Sequence, residues 1–427
     1  MTSEELTRLF FSLVCLLGLA HGFGYAFERF RMPRVIGEIG AGILLGPTIF
    51  DRVAPDLHHA IFGHAASTEQ IFSFLYWLGL TSLMFISGFH VQRHIGRREA
   101  QLVIVTLIAA TSLPFAAGWI VPDLFDVASY LGPNANNIST RLIFAVAFAV
   151  TSIPVISKIF YDLGIVDTRF ARVVLAVATT KDMILWMALS VATEIAQQQG
   201  TVPEPGLIPV MVVKTTVFVG VSLWIGPRLL QWMNGLRFNL VIKGSASGYL
   251  FLICFLFAAV SSFLNINLVF GALIGGMVVG AVDDERVNKV KERVADVVRG
   301  LFVPIYFALV GFRIDFLEGF DAGFTFLFIA ASSLVELGAV ALGTWFILRS
   351  LLGCLNLGVA MNTRGAPCIV LASVAFEAGI IGTSFHIALV AAAVLTSLIS
   401  GIWFREITDR RLPLLGRQPL GIDNKKG

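Results

Sequence analysis

Charge is what this chain has least of: Asp, Glu, Lys and Arg make up only 14% of its 427 residues. A soluble globular domain carries about 25%, so this chain lacks an ordinary water-facing surface. Cysteine is also scarce. Cys15, Cys254, Cys354 and Cys368 all fall in apolar stretches with no metal-ligand spacing. That excludes a disulfide scaffold and leaves them as small apolar fillers. No aqueous domain is present, because the longest polar connections (51–68, 122–138 and 283–299) are too short to bury a core. The apolar runs lack dyad alternation, which excludes a membrane β-barrel. There is no nucleophile elbow, zinc motif or phosphate loop, so nothing points to an enzyme, a cofactor or a nucleic-acid partner. No cleavable signal peptide is read at the start, since Leu6 to Phe27 has no basic flank and continues into further spans.

What is present is hydrophobic length. Apolar residues are 56% of the chain and the mean hydropathy is +0.83. Backbone groups in lipid must be satisfied internally, so the fold class is an all-α polytopic membrane protein. Thirteen apolar segments are read, at 5–27, 34–50, 69–89, 100–121, 139–160, 171–196, 207–226, 246–264, 266–282, 300–314, 322–348, 356–377 and 382–404. Most of the 31 basic residues fall in one set of alternating loops. They are Arg29, Arg31 and Arg34; Arg93, Arg97 and Arg98; Lys158, Arg169 and Arg172; Arg228, Arg237 and Lys243; Arg286, Lys289, Lys291, Arg293 and Arg299; Arg349; and the tail from Arg405 to Lys426. The positive-inside rule then places the N-terminus outside and the C-terminus in the cytoplasm. Residues 284–299 space Val287, Val290, Val294 and Val298 at helical intervals among charges. They read either as a short amphipathic helix on the inner surface or as a solvated basic loop.

Two segments share an uncommon feature. The fifth holds Thr151-Ser152-Ile153-Pro154 and the twelfth Thr363-Arg364-Gly365-Ala366-Pro367. Each puts a helix-breaking proline beside hydroxyl residues near mid-membrane. Seven spans separate them, so the two helices run in opposite directions. This is the expected mark of an inverted repeat with two crossed, discontinuous helices. A lone proline in a membrane helix is ordinary; the matched pair is the signal.

Ionisable residues at bilayer mid-depth are functional-site candidates by default. Lys181 and Asp182 lie side by side in the sixth segment. At about 1.5 Å per residue, Asp182 is roughly 16 Å from Ala171 along its helix, and Glu336 roughly 20 Å from Arg349. Both fall near the middle of a core about 30 Å thick. Two pairings are open to Lys181: Glu336 on another helix, or Asp182 beside it. Adjacent helix positions point about 100° apart, so the local pair is poorly aimed and the Lys181–Glu336 salt bridge is preferred. Asp182 is then the one free carboxylate, able to hold a proton or a monovalent cation. Thr151, Ser152, Thr180 and carbonyls freed near Pro154 are candidate oxygen ligands, since a hard cation needs several. Arg364 is read as capping loose carbonyls, and Glu38 as facing an inner vestibule. His21, His58, His59, His64, His94 and His386 show no metal spacing and are read as loop or helix-end residues. No metal site beyond the transported cation is expected.

Met32-Pro33-Arg34-Val35-Ile36-Gly37-Glu38-Ile39, followed by Gly42 to Pro47, resembles the second-helix signature of the cation:proton antiporter-2 family. That family includes Kef-type and plant CHX-type exchangers. Thr151 to Pro154 resembles its first crossed helix and Ala178 to Trp186 its ion-binding helix, while Phe302 to Asp315 and Asn362 to Gly365 match further segments. The resemblance runs through 5–404 in order and is to the membrane domain only. It implies scaffold and dimerisation helices in 1–99 and 246–320, core transport helices in 100–200 and 321–404, a linker helix in 201–245 and a short basic tail in 405–427. It further implies a homodimer in the inner (plasma) membrane, in contact with lipid, exchanging Na⁺ or K⁺ for protons by an elevator motion. The departures are specific. Where the family has two adjacent acids, this chain has Lys181 and Asp182. Where the family carries lysine in the eleventh span, this chain has Glu336, so acid and base have traded places. An acid usual in the third span is replaced by His90. Two other readings remain open from sequence: a channel-like or sensory protein whose elevator is locked by that exchange, and a carrier of an anion or organic solute that uses Lys181.

Overall fold

The computed structural model describes residues 2–30, 32–63, 66–89, 99–197, 207–235, 244–282 and 285–416. Among them the chain is helical, and the one β-type contact is an isolated bridge between Leu131 and Ile381. Four blocks of helices follow one another. The first holds α1 (Ser3–Arg29), α2 (Arg34–Leu45), α3 (Phe50–Val53), α4 (Pro55–Phe62) and α5 (Ala66–Gly88). The second holds α6 (Ala100–Leu124), α7 (Asn137–Ala149), α8 (Ile153–Asp162) and α9 (Arg169–Gln197). The third holds α10 (Leu207–Gly235), α11 (Ala246–Phe263), α12 (Leu268–Gly280), α13 (Glu285–Val297), α14 (Val303–Phe312) and α15 (Phe316–Gly319). The fourth holds α16 (Ala322–Leu348), α17 (Leu351–Met361), α18 (Gly365–Glu377) and α19 (Thr383–Asp409). The chain resolves into two compact units: Met1–Val91 with Thr201–Gly319, and Gln92–Gly200 with Phe320–Gly427.

Ten of the described helices are long and apolar enough to span a bilayer, or eleven if the bent pair α17–α18 is one span. The thirteen segments read from sequence are therefore an approximate count. Two of them are helices of only 12 and 13 residues, α2 and α12. Thirteen residues rise about 20 Å, short of the roughly 30 Å hydrocarbon core. The segment 284–299 also differs from expectation. Its valines are buried as the spacing predicted, but α13 does not end as a separate surface helix. It runs into α14 through a wide helical turn over Val298–Phe302. His64, His90, His94, the loop residues Arg31, Arg93, Arg97, Arg98, Arg237 and Lys243, and the tail from Arg417 lie outside the described residues.

The first unit is held by backbone-to-backbone approaches at glycine. A β-carbon on Gly42 of α2 would stand 1.9 Å from the Ala308 carbonyl oxygen of α14, and one on Gly311 would stand 2.1 Å from that of Ile39. Gly276 of α12 meets the Phe85 carbonyl of α5 in the same way, at 2.0 Å. Small residues give membrane helices their closest packing, because lipid supplies little hydrophobic drive between them.

The second unit has two three-part groups, each with a broken middle member. In one, α6 and α9 accompany α7–α8; in the other, α16 and α19 accompany α17–α18. Helix starts are fixed locally. Asn136 caps α7 in a reciprocal box with Ser139, and Asp321 Oδ1 accepts from Phe324 N at the start of α16. The Phe324 amide and the Tyr130 hydroxyl, which donates to Asp321 Oδ2 at 2.9 Å, hold the Asp321 carboxyl below its usual range. Phe160, Phe170 and Phe404 meet edge to face and tilted in a core joining α8, α9 and α19.

The glycine seam makes a checkable contrast. Gly311→Ala pushes a methyl into the Ile39 carbonyl and is expected to cost about 1–3 kcal/mol. Gly338→Ala, which meets nothing within 4 Å in the middle of α16, is expected to be neutral or to stabilise by up to about 1 kcal/mol. Thermal unfolding of the two purified variants in detergent reads the difference.

Candidate functional site

The two helix breaks of the second unit meet. Between α7 and α8 the chain runs extended from Val150 to Ser152. Between α17 and α18, which are bent by 41°, it passes through Asn362–Arg364. Ser152 N donates to Thr363 O at 2.6 Å, and Thr151 Oγ1 donates to Met361 O at 2.5 Å. Gly365 sits at φ +46°, and a β-carbon there would stand 2.4 Å from Val155 Cγ2. The crossing therefore requires glycine on two counts, backbone conformation and space. The prolines stand just after the breaks. Pro154 is the second residue of α8 and Pro367 the third of α18, in the first turn where a missing N–H breaks no helical bond.

Arg364 is fully buried. It donates from Nη1 to Ala147 O at 2.9 Å and from Nη2 to Phe148 O at 3.4 Å, and its guanidinium lies 5.7 Å from the Phe328 ring centre. These carbonyls end α7 and have no partner within the helix. Thr396 Oγ1 accepts from Arg364 N at 3.2 Å, and the Thr363 and Ser400 hydroxyls lie 2.7 Å apart. Thr396 and Ser400 escaped the sequence reading. Their four-residue spacing puts both on one face of α19, the signal that would have found them.

Beside the crossing is the ion pair. Lys181 Nζ, on α9, donates to Glu336 Oε1 on α16 at 2.6 Å and to Thr151 Oγ1 at 2.9 Å. Both charged side chains are essentially inaccessible, at 0% and 1% exposure. Glu336 Oε2 accepts no hydrogen bond among the described residues, and neither does Oδ1 of half-buried Asp182. The structure thus brings Lys181, Glu336 and Thr151 together. It does not join Ser152 or Thr180 to Asp182 by a hydrogen bond. Ser152 Oγ accepts from Val155 N at 3.4 Å, and Thr180 Oγ1 donates to Ala176 O of its own helix at 3.1 Å. Chemically, the arrangement offers a neutralised lysine–glutamate pair and, one residue along the helix, a carboxylate with an unused buried oxygen.

A second buried acid lies in the first unit. Glu38 is 2% exposed, so it does not open on a vestibule, and it pairs with Arg34 at 3.4 Å. Arg34 Nη2 donates to His21 Nδ1 at 2.7 Å, and His21 Nε2 donates to Gly300 O in the wide turn at 2.9 Å. His21 is thus inside α1 rather than at a loop or helix end.

A family model described as sodium/hydrogen exchanger, transmembrane, matches residues 12–410. The chain is 27% identical over 414 residues to the Na⁺/H⁺ antiporter NhaS4 of Synechocystis sp., covering 94% of this chain and 97% of that protein. It is 26% identical over 412 residues to K⁺/H⁺ antiporter 1 of Saccharomyces cerevisiae, of which it spans only 46%. Among solved structures, the sodium proton antiporter MjNhaP1 of Methanocaldococcus jannaschii superposes with a TM-score of 0.68 over 97% of this chain and all of that one, at 16% identity. These relatives are transporters rather than enzymes.

A double-mutant cycle tests the ion pair. Lys181→Ala and Glu336→Ala each leave a buried charge without its partner and are each expected to cost about 3–5 kcal/mol. The double variant is expected to lose clearly less than the sum. Thermal unfolding in detergent reads all four corners; additive losses would show that the two side chains are uncoupled.

Proposed function

The chain belongs to the sodium/hydrogen exchanger family and is a multi-pass membrane protein, and on that premise we propose that it exchanges a monovalent cation, Na⁺ or K⁺, for protons, with Asp182 as the shared site. One observation carries this reading. Glu336 and Thr151 engage Lys181, and Asp182 keeps a buried oxygen with no hydrogen-bond partner among the described residues. A carboxylate in that position takes a proton or a cation but not both, which is the minimal chemistry of antiport. The other ligands of a dehydrated cation are drawn from Thr151, Ser152 and Thr180, the carbonyls beside Pro154, and water. A carried anion would have to displace Glu336 from a lysine with no solvent access, so the geometry favours the cation.

Alternating access is of the elevator type in this reading. The unit holding both breaks is the mobile transport core, and its own aromatic core around Phe160, Phe170 and Phe404 supports motion as one body. The helices of the other unit form the scaffold, through which two copies associate. Crossed breaks suit such a core, since half-helix ends and freed carbonyls line an ion site without exposing backbone to lipid. The basic loops favour an outside N-terminus and a cytoplasmic C-terminus in the plasma membrane.

Asp182→Asn is expected to bring cation-driven proton movement in proteoliposomes down to the level of protein-free vesicles, with yield and oligomeric state unchanged. Wild-type exchange by this variant, at equal reconstitution, would sink the proposal. Charge bookkeeping gives a further expectation. If Lys181 and Glu336 neutralise each other throughout, the core has the same net charge in both crossings, and exchange is electroneutral at one proton per cation. Solid-supported-membrane recordings are then expected to show no sustained current. A rate that follows membrane potential would instead identify Glu336 or Lys181 as a second proton carrier.

A further inference from the structure

The connection from α2 to α5 in the first unit folds back on itself. After α2 the chain makes the single turn of α3, which carries Asp51. Pro55 then opens α4, which carries His58 and His59 side by side and closes at Gly63 with φ +60°. Adjacent residues on a helix point about 100° apart, and the sequence offers no metal-ligand spacing here. The fold nevertheless brings Asp51 between them. Asp51 Oδ1 lies 3.3 Å from His58 Nδ1 and 3.8 Å from His59 Nε2, and one ligand atom from each of the three side chains falls within 4.8 Å of the other two.

These separations are informative. Neutral N–H···O bonds cluster near 2.9–3.0 Å, and Asp51 Oδ1 accepts none among the described residues. Ligands about 2.0–2.1 Å from a tetrahedral ion stand about 3.4 Å from each other, and the observed distances bracket that figure. The site is also built. The His58 side chain is only 9% exposed. Its ring stacks on Phe312 at 5.8 Å, lies against Phe62 at 5.1 Å and meets Phe50 edge-on at 5.6 Å. One imidazole is thereby fixed before any ion arrives, while the side chains of Asp51 and His59 are 33% and 43% exposed and face water.

We propose that Asp51, His58 and His59 form a binding site for one divalent transition ion of the zinc class, separate from the transport site. Two imidazoles and one carboxylate suit Zn²⁺, Co²⁺ or Ni²⁺ and are poor ligands for Mg²⁺ or Ca²⁺, which want oxygen. Three protein ligands leave a fourth position for water, so the ion is exchangeable and regulatory rather than a permanent structural part. Its mechanical target is the end of α14. Phe312 is both the platform for His58 and the neighbour of Gly311, whose seam with α2 admits no side chain. A bound ion therefore clamps α3 and α4 onto that seam.

The test uses the full-length, tag-free protein, stripped with chelator and titrated with Zn²⁺. The expected result is one Zn²⁺ per chain, a rise in the unfolding temperature on binding, and the visible bands of tetrahedral Co²⁺ when cobalt replaces zinc, with no competition from Mg²⁺ or Ca²⁺. Asp51→Asn and His59→Ala alter half-exposed side chains and leave the aromatic box intact. Each is expected to weaken Zn²⁺ binding by about tenfold or more and to abolish the thermal shift. Failure to bind zinc, or stoichiometric binding that neither variant weakens, would overturn the assignment.

Discussion

A backbone that stops being helical inside an apolar interior frees N–H and C=O groups, and each one left without a partner costs several kcal/mol. This protein interrupts two helices at one place and makes each interruption satisfy the other. The amide of Ser152 is bonded to the carbonyl of Thr363, and the Thr151 hydroxyl to the carbonyl of Met361. Arg364 reaches from one break to the carbonyls that end α7. A buried guanidinium would be costly in hydrocarbon, but it stands where the α7 dipole is negative and where acceptors are already in surplus. Neither break is tolerable alone, so the two three-helix groups of the second unit fold as one body.

The ion pair is attached to this crossing by a single hydroxyl. Thr151 accepts from Lys181 and donates to Met361 O. Lysine, glutamate, first break and the end of α17 therefore form one continuous hydrogen-bonded network. Networks of this kind hold their geometry only while every member is present. Lysine and glutamate form a pair of zero net charge, which is why the proposed carrier role falls to Asp182. The lysine sits on α9, next to the carboxylate proposed to carry the ion, and the glutamate on the facing helix α16.

Much of this was legible in the residues, for physical reasons. Long apolar runs can only be helices in lipid, and ions at mid-depth announce themselves by their cost, which is why Lys181, Asp182 and Glu336 stood out. The paired prolines marked the breaks to within a few residues. They sit just downstream because proline belongs in a helix's first turn, so the residues that are unwound are the hydroxyl and arginine positions before it. Less legible was whatever depends on where a chain folds back. Periodicity in 284–299 identified the buried valines but not the wide turn that carries α13 into α14. Nothing in the spacing of Asp51, His58 and His59 reveals that they converge, because Pro55 and a two-helix reversal set their distances. Thr151, expected among the cation ligands, is held by Lys181, a contact that only the tertiary crossing creates.

The glycine seam between α2 and α14 has a consequence for how these helices can change over time. With carbonyl oxygens resting where β-carbons would be, the two backbones interlock as a ratchet rather than as a bearing. Sliding by one residue would drive Ile43, Val310 or Phe312 toward a space that holds no side chain. The pair can move only together, as a single strut. Enlarging one of its glycines also cannot be offset by trimming a neighbour, because the nearest atoms are backbone. Larger side chains fit only on the outward faces of the two helices.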